Sequence, residues 1–481
     1  MLLKLFPSIK ESLFFKIIYW FYYSYVYVAL IGILTLLSCI FGIEMPVYYV
    51  FIFLGGVIPS LLLEDMTPTL APLAMAYSSV SLKTNNAEAG TALYGNGREV
   101  NLYYHVILII IFVFGRFIYE MIFNKERRCH KPQLLVGYIL FGTALMFGGL
   151  ASGYYSKKNF YYGAIQMLAL SGCYFFLLYL IDWKNMKKDY FFNIMMTYGI
   201  VIALEVFYII LFHRGDEITT GWGIRNNIAG QMCLCICAPM YLAMKSKKLS
   251  WLYAIASIVI LLGICSTNSR GGAGAGAALF VAGLALFFIF AGMSQRIQMS
   301  SVIAGAFLIL VILMALIPNQ VLHFFGRLTG SDLSPGEMNL FKSSRMEIWK
   351  DGAAQFMSHP GFGVGYYECA AGRAPNFNYD FIPPRYHNTY VQILASLGLF
   401  GAFTFIYHRY EMFKLTFKHP SLEKTFIFLS IMGLLVSSLV DCHFFNLGPG
   451  LNYTIALAFI EGINIKDGVG LRKPNPMALI N

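Results

Sequence analysis

Ser300-Ser301-Val302-Ile303-Ala304-Gly305-Ala306-Phe307-Leu308-Ile309-Leu310-Val311-Ile312-Leu313-Met314-Ala315-Leu316-Ile317 runs without one charged side chain. A helix of that length rises about 27 Å, close to the ~30 Å hydrocarbon core of a bilayer. Apolar runs of similar length recur at 18–41, 46–63, 105–123, 133–152, 160–181, 191–212, 228–244, 250–268 and 272–292. Others follow at 389–407, 424–442 and 449–464, and a weaker candidate with two prolines lies at 66–82. Of 481 residues, 58% are hydrophobic and 12% charged, with mean hydropathy +0.63. Soluble domains carry about 25% charged residues, so a water-soluble globule is excluded. Nine cysteines are too sparse for a disulfide scaffold. The expected fold is an all-α polytopic membrane protein with about 12–14 transmembrane helices.

A net charge of +11 invites a nucleic-acid partner, but the places of the cations argue against one. Short loops rich in Lys and Arg mark the cytoplasmic side. These are 124–132 (Lys125, Arg127, Arg128, Lys131), 182–190 (Lys184, Lys187, Lys188), 245–250 (Lys245, Lys247, Lys248) and 408–424 (Arg409, Lys414, Lys418, Lys424). With the N-terminus, the 293–300 turn and the tail, they hold 21 of the 35 Lys and Arg residues. Each lies two crossings from the next. An N-terminus inside requires 66–82 to cross, giving about 14 helices; a re-entrant 66–82 removes one and moves the N-terminus outside. Crossing is the reading adopted. Lys4, Lys10 and Lys16 precede an aromatic run too long for a cleavable signal. The chain then divides into a helix bundle (1–317), an outer loop expected to form a small helical cap (318–388), further membrane helices (389–464) and a cytoplasmic tail (465–481).

The basic residues also sort by type. Sixteen of the inside cations are Lys and five are Arg, whereas outside eight are Arg (98, 214, 225, 270, 327, 345, 373, 385) and five are Lys. Orientation needs only charge, so an outer preference for Arg points to bidentate recognition of phosphate or carboxylate. Loop Arg–carboxylate pairs are the alternative for several of them. Three outer segments place a capping residue and a cation or imidazole before a helix entering the membrane. They are Gly223-Ile224-Arg225-Asn226-Asn227, Thr267-Asn268-Ser269-Arg270-Gly271-Gly272 and Arg385-Tyr386-His387-Asn388-Thr389. Helix N-termini favour anions. Arg225 also suits an interfacial anchor, and the small residues Gly271–Ala277 suit close helix packing better than a phosphate loop. A lone histidine at an interface is usually structural, so His387 depends on its context.

That context is distinctive. His387-Asn388, nine residues, then Gly398-Leu399-Phe400-Gly401 resembles the His-Asn-x9-Gly-x-x-Gly signature of the bacterial O-antigen ligase and polymerase family. Upstream, Arg345-Met346-Glu347-Ile348-Trp349 and then Pro360-Gly361-Phe362-Gly363-Val364-Gly365 resemble the same family's outer-loop segment. Ser269-Arg270-Gly271-Gly272 and Arg225-Asn226-Asn227 resemble its earlier Arg-bearing helix starts. The resemblance covers about 222 to 401. It implies an inverting, metal-independent glycosyltransferase on the periplasmic side of the bacterial inner membrane. The donor would be a glycan on undecaprenyl diphosphate and the acceptor a sugar hydroxyl of lipid A–core. Membrane lipids would surround it, and no cofactor is implied. By position, His387 would activate the acceptor hydroxyl, while Arg225 and Arg270 would hold the leaving diphosphate. Arg345 would be a third cation, with Asn388 capping the helix and orienting His387; Asn226 and Asn227 belong to the matched Arg225 segment. A polymerase joining lipid-linked repeats, or a protein O-oligosaccharyltransferase, would share this donor and site. From another class, a polysaccharide or lipid transporter fits the helix number, but no internal repeats are visible.

The residue types make chemical sense without the resemblance. A lipid diphosphate leaves readily once its charge is neutralised, by a divalent metal or by guanidinium groups. A metal needs clustered acids or histidines, and the first outer turn offers only Glu44. Asp441 and His443 could line the acceptor path, although an interfacial hydrogen bond is the simpler reading. Arg116 and Glu120 are expected to pair across one helical turn. Glu205 stands as a buried acid without an evident partner. Cys233, Cys235 and Cys237 spread around a helix instead of clustering as ligands, and Tyr19–Tyr27 reads as an interfacial aromatic belt.

Overall fold

The computed structural model describes residues 12–41, 50–76, 100–123, 131–212, 218–319, 321–322, 326, 335–366 and 386–468, with side chains from 111 and 345 in the helices beginning at 100 and 335. Among the described residues, each apolar run read from the sequence contains a helix. In chain order they are α1 (Leu13–Tyr22), α2 (Tyr25–Phe41), α3 (Val50–Leu62), α4 (Leu70–Met75), α5 (Val100–Phe123), α6 (Leu135–Phe147) and α7 (Lys157–Leu180). There follow α8 (Asp189–Phe212), α9 (Arg225–Lys245), α10 (Ser250–Ser266), α11 (Arg270–Phe290) and α12 (Met293–Leu316). Helix α13 (Pro335–Ser358) precedes α14 (Thr389–Phe417), α15 (Leu422–Ser437) and α16 (Leu447–Lys466). A two-residue β pair, Thr219–Thr220 with Gly223–Ile224, leads into α9.

Among the described residues six helices (α7, α8, α9, α11, α12, α14) are long and apolar enough to span a bilayer singly. A seventh arises if α1 and α2, bent by 63° at Tyr23–Ser24, count together; α3, α6 and α10 are shorter apolar helices. The protein is an all-α polytopic membrane protein. Its axis is α16, buried along almost its whole length, as expected of a helix apolar all round. At the periphery α12 buries only Gln295 and Met299.

The basic loops gather at one end, as the topology requires. Lys188 pairs with Asp467 (3.2 Å), Lys245 with Glu423 (3.5 Å), and Tyr241 donates to both Asp189 and Glu423. Asp65 belongs to this end too, accepting from the Asp182 N–H (2.9 Å) and from Thr67 and Tyr23. From there α4 climbs within the core until the carbonyl of Met75 accepts from Trp222 Nε1 (3.1 Å), just before α9. Residues 77–82 lie outside the described residues, as do Glu44, Arg98, Arg214, Arg327, Arg373 and Arg385.

Two expectations are corrected. Arg409 is not in a cytoplasmic loop, because α14 continues to Phe417; its guanidinium lies against Phe405 and Phe444 (4.2 Å each) and Tyr453 (4.8 Å). Glu205 is not partnerless, since the Gly221 N–H donates to it (3.4 Å). Arg116 and Glu120 do pair (2.6 Å), and the same guanidinium donates to the carbonyls of Ser60, Leu63 and Glu64.

Candidate active site

The decisive local feature is a break in α14. Gly398 has φ +64° and ψ −157°, outside any helix. A straight helix would hold Tyr390 and Phe405 about 22 Å apart along its axis, yet their ring centroids are 6.0 Å apart. The short arm 389–397 therefore folds back on the long arm 399–417. Into the break docks the 360–365 turn: Leu399 N–H donates to Pro360 O (2.7 Å), Phe400 N–H to Gly361 O (3.1 Å), Val364 N–H to Ala395 O (3.0 Å) and Gly365 N–H to Ser396 O (2.8 Å). Only glycine fits at Gly398, where a Cβ would lie 2.6 Å from Gly361 backbone atoms.

The fold-back carries His387 to the foot of the short arm. Asn388 caps that arm, its side chain accepting from the N–H groups of Tyr390 (2.9 Å) and Val391 (3.2 Å). His387 itself sits at φ +48°, a left-handed conformation costing a side-chain-bearing residue about 1–2 kcal/mol. Its neighbour Tyr386 is fastened at three atoms. The N–H donates to Gln392 Oε1 (2.9 Å), the carbonyl accepts from Trp349 Nε1 (2.9 Å), and the hydroxyl donates to Gln355 Oε1 (2.6 Å). Trp349 and Gln355 belong to α13, so this helix clamps the strained turn. Thr389, on the other side, donates to Ser438 O (2.9 Å) and Asp441 O (3.0 Å). The imidazole consequently faces Asp441, with Nδ1 3.7 Å from Oδ1. Asp441 is 2% exposed at its side chain and His387 37%, so the carboxylate backs a ring whose other edge is open.

The arginines converge on the same place. Arg225 and Arg270 open α9 and α11. Ser269 ties these starts together: its hydroxyl accepts from Gly272 N–H (3.2 Å) and donates to Asn226 Oδ1 (2.8 Å). Close packing explains the small residues. A Cβ on Gly272 would lie 2.3 Å from Ala229 Cβ, and one on Gly271 2.3 Å from Val440 Cγ2. That packing brings Arg270 beside the segment bearing Asp441. From α13, Arg345 reaches the Val440 carbonyl (3.4 Å). Burial lowers the Arg345 pKa; Asp441 opposes that shift, while Arg225 and Arg270 add to it. Three guanidinium groups and one carboxylate thus share a field. Arg225 is exposed and makes no ion pair with any described residue.

Asn227 and His443 lie behind this surface. Asn227 Oδ1 accepts from Asn446 Nδ2 (2.9 Å) and is 3.2 Å from His443 Nδ1. His443 is wholly buried, its ring against Gly230, where a Cβ would lie 2.6 Å from Nε2. These two residues join α9 to the 441–446 loop. Cys233 and Cys237 are buried on the face of α9 toward α11, donating to the carbonyls of Gly272 and Leu279, while Cys235 faces Gly199 of α8 and donates to Gln231 O. Among the described residues no three His, Cys, Asp or Glu side chains are grouped to hold a metal.

Sequence reasoning missed Gln355 and Gln392, which carry no chemical signal of their own, and read Trp349 only as part of the Arg345–Trp349 motif. It also left unseen that Asp441 stands behind His387, 54 positions earlier in the chain.

Residues 234–406 match the family model described as O-antigen ligase. The match contains Arg270, Arg345, His387, Asn388 and Gly398, while Arg225 and Asp441 lie to either side of it. Over that stretch this multi-pass membrane protein is similar to the O-antigen ligase family. No curated protein sequence matches the chain.

Proposed function

We propose that this protein is an inverting, metal-independent glycosyltransferase of the O-antigen ligase kind, acting at the periplasmic face of the inner membrane. It moves a glycan from undecaprenyl diphosphate to a sugar hydroxyl of lipid A–core. The observation that carries this reading is the meeting of His387, backed by Asp441, with Arg225, Arg270 and Arg345. With Nδ1 turned to Asp441, Nε2 is left to take the acceptor hydroxyl proton as the oxygen attacks the anomeric carbon. Asp441 then stabilises the imidazolium. The glycosyl–phosphate bond breaks on the opposite face, and its electron pair departs with the diphosphate. Guanidinium forks receive that charge where a metal ion otherwise would. An apolar groove of about 240 Å³ starts at Tyr390 and Leu439 and continues past Leu435 to Phe413 on the bundle's flank. It offers the polyprenyl chain a path in the membrane.

Purified protein with lipid-linked donor and lipid A–core acceptor tests the proposal. Loss of transfer by roughly 10²–10⁴-fold is expected for His387→Ala and by about 10²–10³-fold for Arg225→Ala and Arg270→Ala. Undiminished transfer by these variants would exclude the assigned roles. Extension of one lipid-linked repeat by another, without transfer to core, would instead identify a polymerase.

A further inference from the structure

Gln392 lies one helical turn into the short arm of α14, wholly buried, its N–H bonded to Asn388 O (2.9 Å). The side chain reaches back past the helix start. Its Oε1 accepts from the Tyr386 N–H (2.9 Å) and from the Cys442 thiol (3.6 Å). Tyr386 immediately precedes His387, and Cys442 immediately follows Asp441, to whose Oδ1 it donates its N–H (2.7 Å). One buried carbonyl oxygen therefore spans the two backbone segments carrying the imidazole and its carboxylate. Those segments are non-helical, one just before α14 and the other after α15, and lie far apart in the chain. His387, in a left-handed turn, would relax toward extended or helical backbone without such a restraint.

We infer that Gln392 is a positioning residue: its side-chain oxygen sets the separation and orientation of His387 relative to Asp441. It touches neither donor nor acceptor. A role in turnover rests on the glycosyl-transfer reading above; the geometric role does not.

The test compares Gln392→Leu, Gln392→Glu, Asp441→Asn and the Gln392→Leu/Asp441→Asn double variant. Leucine keeps the bulk and loses the acceptor, while glutamate keeps an acceptor oxygen. In the transfer assay, Gln392→Leu should lose kcat by about 10–10²-fold and no more than Asp441→Asn does, with donor KM within about twofold. Added to Asp441→Asn it should cost nothing further, because both act through one pair. Gln392→Glu should recover most of the loss. Losses that multiply in the double variant, or a glutamate variant as poor as leucine, would overturn the inference. A second readout needs no turnover. Diethylpyrocarbonate acylation of His387, followed by mass spectrometry on the folded protein, should change in Gln392→Leu by the same factor as in Asp441→Asn. A rate equal to the parent's would refute the positioning role even if the parent proves to transfer no glycan. In that case the functional reading falls on its own assay and the acylation rates alone decide this one.

Discussion

Gly398 meets the Gly361 backbone where it cannot carry a side chain, a Cβ on Gly398 falling 2.6 Å from the Gly361 carbonyl carbon and oxygen. Steric exclusion and a positive φ coincide at one residue. Gly398→Ala should therefore open the joint between the 360–365 turn and α14. The expected outcome is a loss of about 2–4 kcal/mol, combining backbone strain and overpacking. Limited proteolysis of detergent-solubilised protein should cut near 360 before any other described segment; a cleavage pattern like the parent's would refute the joint.

Asp441→Asn tests the carboxylate behind the imidazole. The amide keeps the shape and removes the charge that would stabilise an imidazolium. A kcat loss of about 10–10²-fold is expected, smaller than for His387→Ala, with little change in donor KM. Full activity would reduce Asp441 to a loop tether.

Arg225→Lys keeps a positive charge but loses the planar fork. Activity should fall about tenfold, between the parent and Arg225→Ala. Equality of the lysine variant with the parent would mean that charge alone is used there.

Asn227→Ala separates structure from chemistry. Its loss strips an acceptor from buried His443 and from Asn446. An unsatisfied buried donor costs about 1–3 kcal/mol, so the thermal midpoint should fall measurably. An unchanged midpoint would show that the 441–446 loop does not depend on α9 through this residue.

Arg116→Met addresses the other end of the bundle. The guanidinium serves Glu120 and three backbone carbonyls, so its removal takes the cation from a buried carboxylate and a donor from each carbonyl. Destabilisation of about 3–5 kcal/mol is expected, with transfer per folded molecule retained. A selective loss of transfer would place Arg116 in the chemistry after all.

Hydropathy made the helices legible because bilayer thickness imposes a length on each apolar run. The spacing of the Lys-rich loops likewise foretold which ends share a side, as Lys188 with Asp467 and Lys245 with Glu423 show. The candidate site was legible wherever chemistry demands a residue type, at His387 and the arginines. Residues whose importance is purely geometric were not. Gln392 and Gln355 could serve equally well anywhere in a polar interface, and only the fold reveals that both hold Tyr386. Arg409 misled for a physical reason: cation–π contacts with three rings stabilise within the bundle a charge that hydropathy assigns to a loop.

The break at Gly398 gives the nine-residue interval after Asn388 the meaning of a ruler. Those residues are the length of a lever whose pivot is the glycine and whose tip is the imidazole. Inserting or deleting one of them would swing the tip by about 100° and shift it about 1.5 Å. Substitutions along the lever's outward side should be absorbed, whereas a change in its length should not.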